Sequence, residues 1–319
     1  MIDRKPLGVS LLLIFLASTS LRDIYLSSTF SKFGFFEVAF VAFGAATICF
    51  LAITLVSTPN QVFTLRRAWR NVIAVNATTA VAWLSYFGSL RFVEPAVTNT
   101  VYSGVAPLTI VLFGACGLKT RAEDQVELSE RAAHLGLIGA LVVLAWIVLS
   151  GRSGLANLSI RDGALGLILA TVSGVVITAE TIFAKQMNDD GVSPAAVLGV
   201  RFFLVTLISA GFVFLQGETI LRETPGSLGY LAGAALLLIA APIYLVQLGL
   251  AYTSPMTTNV VLSLGPVFVL ATQVVAGNTT TSPYVLFAIV LYAAFAVIGS
   301  ANRVRAPAQS LCDGTGKEA

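Results

Sequence analysis

The sequence predicts an all-α integral membrane protein with ten transmembrane helices, arranged as two inverted repeats of five helices each. Three observations lead to this prediction. Hydrophobic residues make up 56% of the 319 residues and charged residues only 11%, whereas soluble domains carry about 25% charged residues. The apolar residues form ten segments separated by short connections, and a motif in the fourth segment recurs in the ninth.

The apolar segments match the length of membrane-spanning helices, because a helix needs about 20 apolar residues to cross the hydrocarbon core. The first segment could instead be a cleaved signal peptide, since Arg4 and Lys5 precede an apolar run. We expect a retained helix, because the apolar character continues past Ser20. The segments are 7–29, 35–57, 70–92, 95–117, 133–150, 163–184, 195–216, 228–251, 256–277 and 283–301.

The distribution of positive charge predicts the orientation, since Lys and Arg accumulate in cytoplasmic connections. If both termini are cytoplasmic, twelve of the nineteen Lys and Arg residues lie on the inner side and five on the outer side. Arg22 and Arg201 fall within segments. The sequence therefore predicts a multi-pass protein of a bacterial inner (plasma) membrane with cytoplasmic termini. The net charge of +3 is too small to indicate a nucleic-acid partner.

The repeat is visible when "LRFVEPAVTNTVYSGVAPLTI" (90–110) is laid on "LAYTSPMTTNVVLSLGPVFVL" (250–270). An odd number of helices per copy inverts the second copy, which is the architecture of many secondary transporters. The predicted units are residues 1–150, residues 160–301 and a disordered cytoplasmic tail, 302–319. The coinciding pairs include Pro95/Pro255, Thr98/Thr258, Asn99/Asn259, Val101/Val261 and Ser103/Ser263.

These two P-x-x-T-N-x-V-x-S stretches resemble the EamA-type ten-helix branch of the drug/metabolite transporter (DMT) superfamily. "LKTRAEDQVELSERAAHLGLIGALVVL" and "GVSPAAVLGVRFF" are also similar to that family, and the resemblance covers about residues 7–301. It implies a transporter fold and export of small metabolites, including aromatic amino acids and opine-type metallophores in some members. The Arg22–Asp23 pair departs from the mostly apolar first helix of the family. Arg201 has no counterpart in the first half, where Gly44 falls near the matching place.

The polar residues inside the segments predict a shared central cavity, because a polar group in a span needs a protein partner or a water-filled space. No segment carries polar residues on all sides, so each helix is expected to contribute one polar face to the cavity. The predicted substrate-binding residues are Arg22, Asp23, Asn76, Trp83, Tyr86, Asn99, Tyr102, Ser103, Glu180, Arg201, Tyr244, Gln247, Asn259 and Ser263.

The charged members of this set allow more than one interpretation. Asp23 and Glu180 occupy matching places in the first helix of each half, so either could bind a cationic group or carry a coupling proton. Arg201 could hold a substrate carboxylate. Alternatively, Arg22 and Asp23 mark the end of the first helix at the outer interface. Glu180 could also pair with Lys185 or with Arg201, and the aromatic residues could be core or interface residues.

Two prolines are predicted hinges. Pro107 and Pro266 fall in the middle of predicted spans, where each removes a backbone hydrogen bond and can kink a helix. The alternative is a packing kink without substrate contact. The single histidine, His134, stands at the start of an apolar segment and is expected at the membrane interface.

Motifs for enzyme chemistry are absent. One histidine and three cysteines give no zinc spacing, and "GTGKEA" in the tail lacks the upstream glycine of a phosphate loop. We therefore expect no catalysis, cofactor or metal, and partners limited to lipids and a small molecule, in a monomer or homodimer. The predicted function is a secondary transporter of a small zwitterionic metabolite. Alternatives are a nucleotide-sugar, sugar-phosphate or drug exchanger and, in another class, a membrane-embedded enzyme.

Overall fold

The computed structural model describes residues 5–30, 33–115, 128–155, 158–216, 224–253, 261–277 and 282–312. Every regular element in these ranges is helical, which confirms the all-α prediction. In chain order the helices are α1 (Lys5–Thr29), α2 (Phe35–Ser57), α3 (Gln61–Arg67), α4 (Trp69–Phe92), α5 (Pro95–Ala115), α6 (Leu128–Leu149), α7 (Ile160–Asp189), α8 (Pro194–Arg201), α9 (Phe203–Gln216), α10 (Pro225–Ala235), a π-helical turn (Leu236–Ala240), α11 (Ala241–Tyr252), α12 (Gly265–Ala276) and α13 (Pro283–Cys312).

The helices have the length and surface of membrane spans. Large apolar side chains point away from the bundle; Val56 and Leu215, for example, are 84% and 88% exposed. Such an apolar exterior is typical of a surface that contacts lipid rather than water. Shorter apolar helices cover Gly265–Ala276 and Pro283–Gly299, and the count of ten spans stays a prediction. Seven helical segments among the described residues are long and apolar enough to cross a membrane: Pro6–Thr29, Phe35–Ser57, Trp69–Phe92, Ala132–Leu149, Ile160–Asp189, Pro194–Gln216 and Pro225–Val246.

Local sequence determines where several helices begin. The Ser159 side chain accepts a hydrogen bond from the Asp162 N–H at 3.0 Å and caps α7. Ser193 and Thr224 cap α8 and α10 in the same way, and a proline follows each of them. A hydroxyl cap satisfies a free N–H of the first turn, and proline fits that turn because its missing N–H would be unpaired there.

Two predicted spans are interrupted. The segment 195–216 forms α8 and α9, which meet at Phe202. The segment 228–251 forms α10, the π-helical turn and α11. Pro242, in the first turn of α11, has no N–H to donate into the preceding turn, and this favours the wider π geometry.

The helices pack around a central cavity. α4 packs along α7, α5 lies beside α7, and α6 packs against α13. α1 contacts α11 and α12, whereas α2 contacts α8 and α9. A stack of Phe87, Phe43 and Phe202 forms part of the apolar core, with ring centroids 5.5 and 5.2 Å apart. This core holds α2, α4 and the junction of α8 and α9 together beside the cavity.

The last helix is longer than the sequence indicated. We predicted a disordered tail from residue 302, but α13 continues to Cys312. The Ala, Arg, Gln and Leu residues of this stretch favour helix, although Pro307 within it has no N–H to donate to the hydrogen-bond ladder. Residues 313–319 lie outside the described part of the chain.

Gly174 lets α7 approach the backbone of α5. A Cβ at this position would lie 2.6 Å from the Tyr102 carbonyl oxygen, and backbone cannot rotate away. Gly174→Ala is therefore expected to lower the free energy of unfolding by about 1–3 kcal/mol. The matched control is Gly211→Ala on α9, where a Cβ meets nothing within 4 Å. We expect this control to stabilise the helix by about 0.5–1 kcal/mol. Thermal unfolding in detergent compares the two variants, and equal melting temperatures would contradict the close approach.

Candidate functional site

A cavity of about 680 Å³ lies within the helix bundle. α1, α4, α5, α6, α7 and α13 contribute to its wall, together with the end of α8, the start of α11 and residues 262–265. Cavities of this size hold small metabolites, because ligand pockets commonly measure about 300–1,000 Å³. Most of the wall is apolar, and its charged side chains take part in two ion pairs.

The first cluster is the Arg22–Asp23 ion pair with Tyr86 and Asn99. Arg22 Nη2 lies 2.8 Å from Asp23 Oδ1, and Arg22 Nε donates to the same oxygen at 2.8 Å. The Tyr86 hydroxyl donates to Asp23 Oδ2 at 2.6 Å, and Asn99 Nδ2 approaches that oxygen at 3.4 Å. Arg22 is 8% exposed and Asp23 is fully buried. The pair thus lies inside the bundle and joins α1 to α4 and α5.

Aromatic rings continue the wall from this cluster. The Arg22 guanidinium lies 5.2 Å from the Trp83 ring centroid and 5.4 Å from that of Tyr86. Tyr86 and Tyr102 meet edge to face at 5.2 Å. Cation–π contacts stabilise a buried guanidinium that has lost its water. The rings therefore both support Arg22 and present flat surfaces to the cavity.

The second cluster is the Glu180–Arg201 ion pair. Arg201 Nη2 lies 3.0 Å from Glu180 Oε2, and both side chains are less than 10% exposed. Among the alternatives for Glu180, the structure selects Arg201 rather than Lys185. Arg201 is the last residue of α8, and the interruption at Phe202 follows it directly. The side-chain Oδ1 of Asn76 accepts the Leu204 N–H at 3.0 Å just beyond this interruption, so α4 supports the backbone that carries Arg201.

The structure brings most of the predicted site residues together. Asp23 lies behind Arg22 rather than on the cavity surface. The Asn76 side-chain amide forms hydrogen bonds with backbone groups of α4 and α9. The Tyr244 side chain, on α11, is 47% exposed. Neither residue lines the cavity. Asn259 and the Gln247 side chain lie outside the described residues. The predicted residues that line the cavity are Arg22, Trp83, Tyr86, Asn99, Tyr102, Ser103, Glu180, Arg201 and Ser263.

The two prolines differ in position. Pro107 lies inside α5 and lines the cavity. Pro266 stands in the first turn of α12, so the prediction of a mid-helix position was wrong. The chain forms a turn at residues 263–264, directly before this helix. An N–H in the first turn of a helix has no intrahelical partner, so Pro266 removes no helical hydrogen bond there. The hinge role of both residues stays a prediction.

Other wall residues were not predicted. His134, expected at the interface, lines the cavity near the start of α6. Tyr292 lines it from α13 and is 2% exposed. The spacing of Tyr292, Ala296 and Gly299 places one large and two small residues on a single helix face, a pattern that could have indicated a cavity wall.

A third polar cluster lies where α5 begins and α6 and α12 end. Glu94, in the connection before α5, is 1% exposed. Its carboxylate accepts hydrogen bonds from the Gly154 N–H and, at 3.1 Å, from Gln273 Nε2. Gln273 Oε1 accepts the Ala96 N–H at 3.2 Å. Burial raises the pKa of Glu94 above its ordinary value, and the hydrogen bonds oppose this increase. The cluster was not predicted, because Glu94 stands at the edge of a connection.

Comparison with known proteins agrees with the fold. A crystal structure is similar over 96% of this chain and 99% of its own chain, with a TM-score of 0.61 and 21% identity, and this likeness concerns the fold alone. No curated protein matches the chain. Residues 164–300 match the EamA-like transporter family. This stretch contains Glu180 and Arg201, and it confirms the resemblance noted in the sequence. The matched residues lie in the second half of the chain, which is therefore similar to the EamA-like transporters, a family of the drug/metabolite transporter superfamily.

Proposed function

We propose that this protein is a secondary transporter that exports a small zwitterionic metabolite, such as an amino acid or an amino-acid-derived compound. One observation carries the proposal: the wall of one 680 Å³ cavity carries both charge signs, with Arg22, Arg201 and Glu180 on its surface. A wall with both charge signs suits a ligand that carries an ammonium and a carboxylate. An opine-type metallophore has the same chemistry and belongs to this class.

The charge balance of the wall argues against the alternative of a nucleotide-sugar or sugar-phosphate exchanger. Phosphate groups need cationic side chains that are available to them. Among the described wall residues, both arginines already contact carboxylates, Arg22 at 2.8 Å and Arg201 at 3.0 Å. A dianionic phosphate would have to compete with Asp23 and Glu180 for these partners.

Alternating access gives the proposed mechanism. The two predicted five-helix halves would rock about the cavity and expose it to one side of the membrane at a time. With both termini in the cytoplasm of a bacterium, the Glu94 cluster would close the outer end. The wall extends towards the inner end, where it includes His134 and Thr181. This arrangement suits loading of the substrate from the cytoplasm. Asp23 and Glu180 are the candidate carriers of a coupling proton.

Reconstitution tests the proposed function. Purified protein in liposomes, as a monomer or homodimer, is expected to accumulate radiolabelled L-leucine, L-methionine or L-phenylalanine with saturable kinetics. Nucleotide sugars should neither be transported nor compete. An imposed pH gradient should drive the accumulation, and Glu180→Gln or Asp23→Asn should reduce that response if its carboxylate carries the proton. Transport of a nucleotide sugar without any transport of the amino acids would overturn the proposal.

A further inference from the structure

Three side chains in the cavity wall each keep one buried polar atom without a hydrogen-bond partner. These atoms are Trp83 Nε1, Glu180 Oε1 and Arg201 Nε. The described residues contain six such side-chain atoms, so half of them belong to this one wall. A buried polar group without a partner is unfavourable, and native proteins seldom keep one without a reason. Three side chains next to one cavity therefore have hydrogen-bonding capacity that the described residues leave unused.

The Arg22–Asp23 cluster is different, because its carboxylate is already satisfied. Asp23 Oδ1 contacts Arg22, and Oδ2 accepts from the Tyr86 hydroxyl at 2.6 Å. Asp23 is fully buried behind Arg22. A ligand ammonium would have to displace these partners to reach the carboxylate. This cluster is better suited to hold α1 against α4 and α5 than to bind a head group.

We propose that the ionic head group of the substrate binds at Glu180, Arg201 and Trp83, and that the Arg22–Asp23 cluster is a structural clamp. This inference rests on the proposed function and divides its two ion pairs into different roles. Arg201 Nε–H and Trp83 Nε1–H are two donors suited to a carboxylate, and Glu180 Oε1 is an acceptor suited to an ammonium. The apolar wall of Ile110, Leu137 and Ile177 receives the rest of the molecule.

The chemistry of the three unpaired atoms predicts which parts of the ligand matter. A site with buried polar groups rejects analogues that leave those groups unpaired. L-Leucinamide keeps the ammonium of L-leucine but lacks its carboxylate, whereas 4-methylpentanoate keeps the carboxylate but lacks the ammonium. Both analogues should therefore compete less well than the amino acid with uptake by the wild-type protein.

The experiment measures competition by these two analogues against radiolabelled L-leucine, L-methionine or L-phenylalanine in liposomes. Trp83→Phe keeps an aromatic ring and removes only the N–H. We expect it to weaken uptake of the amino acid about ten-fold, which corresponds to roughly 1.4 kcal/mol. It should also reduce discrimination against L-leucinamide, while the Arg201 Nε–H remains as the second donor. Glu180→Gln should abolish discrimination against 4-methylpentanoate. The matched control is Trp146→Phe on α6, whose side chain is 56% exposed and does not line the cavity, and in which discrimination against both analogues should persist.

The outcomes are distinct. Discrimination that falls in Trp83→Phe or Glu180→Gln but persists in Trp146→Phe supports the assignment. Discrimination kept in both Trp83→Phe and Glu180→Gln, or lost in Trp146→Phe, overturns it while leaving the proposed function intact. A wild-type protein that transports a nucleotide sugar and none of the three amino acids overturns the proposed function and the assignment with it. Because Trp83→Phe is a conservative change, it remains informative if Glu180→Gln folds poorly.

Discussion

Asp23→Ala is expected to lower the free energy of unfolding by about 3–5 kcal/mol, because it leaves the Arg22 guanidinium buried without its counterion. Arg22 is 8% exposed, so water cannot replace the lost carboxylate without a rearrangement of α1. The Tyr86 hydroxyl loses its acceptor at the same time. The measurement is thermal unfolding of the purified protein in detergent, compared with Asp190→Ala, which removes a carboxylate from an exposed position.

A double variant separates the loss of a partner from the loss of charge. Arg22→Met, Asp23→Leu replaces both charged groups by apolar ones of similar size. Replacing a buried ion pair in this way is often neutral or stabilising. We therefore expect the double variant to unfold near the wild-type temperature and well above Asp23→Ala. If Asp23→Ala alone unfolds at the wild-type temperature, the ion pair does not hold α1 in the bundle.

Glu94→Ala is expected to have the second-largest effect on stability. It leaves the Gly154 N–H and the Gln273 side-chain N–H without their acceptor near the start of α5. Each buried donor without a partner costs about 1–3 kcal/mol, so the free energy of unfolding should fall by about 2 kcal/mol or more. Thermal unfolding in detergent measures this loss, and Asp190→Ala again serves as the exposed control.

Two further variants show how the Glu94 carboxylate acts. Both oxygens of Glu94 accept hydrogen bonds, so Glu94→Gln turns one acceptor into a donor that faces another donor. We expect this variant to be about as unstable as Glu94→Ala. A double-mutant cycle with Gln273→Ala should give a coupling energy of about 0.5–3 kcal/mol, as for residues that share one hydrogen-bond network. If Glu94→Gln unfolds at the wild-type temperature, the native Glu94 carboxyl is instead protonated.

Much of the fold follows from local sequence. The predicted segment 35–57 coincides with α2, and the segment 70–92 differs from α4 by one residue. In lipid, every backbone N–H and C=O must be paired within the span. An apolar run of sufficient length therefore forms a helix, which pairs these groups within the segment itself. Serine and threonine caps with following prolines add start signals that are equally local.

The candidate site was only partly predictable. Periodicity placed Asn99, Tyr102 and Ser103 on one face of their helix, and the structure places all three in the cavity wall. Asn76 and Tyr244 met the same criterion of a polar residue in a span, but they lie elsewhere. A single helix face does not reveal which neighbour covers it. His134 and Tyr292 were missed for the same reason, because their place in the wall depends on how α6 and α13 pack.

By itself, the sequence determined the membrane class, the helical character and the main residues from which a polar cavity is built. These properties depend on composition and on backbone hydrogen bonding within each span. Only the tertiary structure decided the partners: Arg201 for Glu180, Tyr86 and Asn99 for Asp23, and Gln273 for Glu94. These contacts join different helices. A buried charged group pairs with a complementary group that lies close to it in space, whatever their separation along the chain.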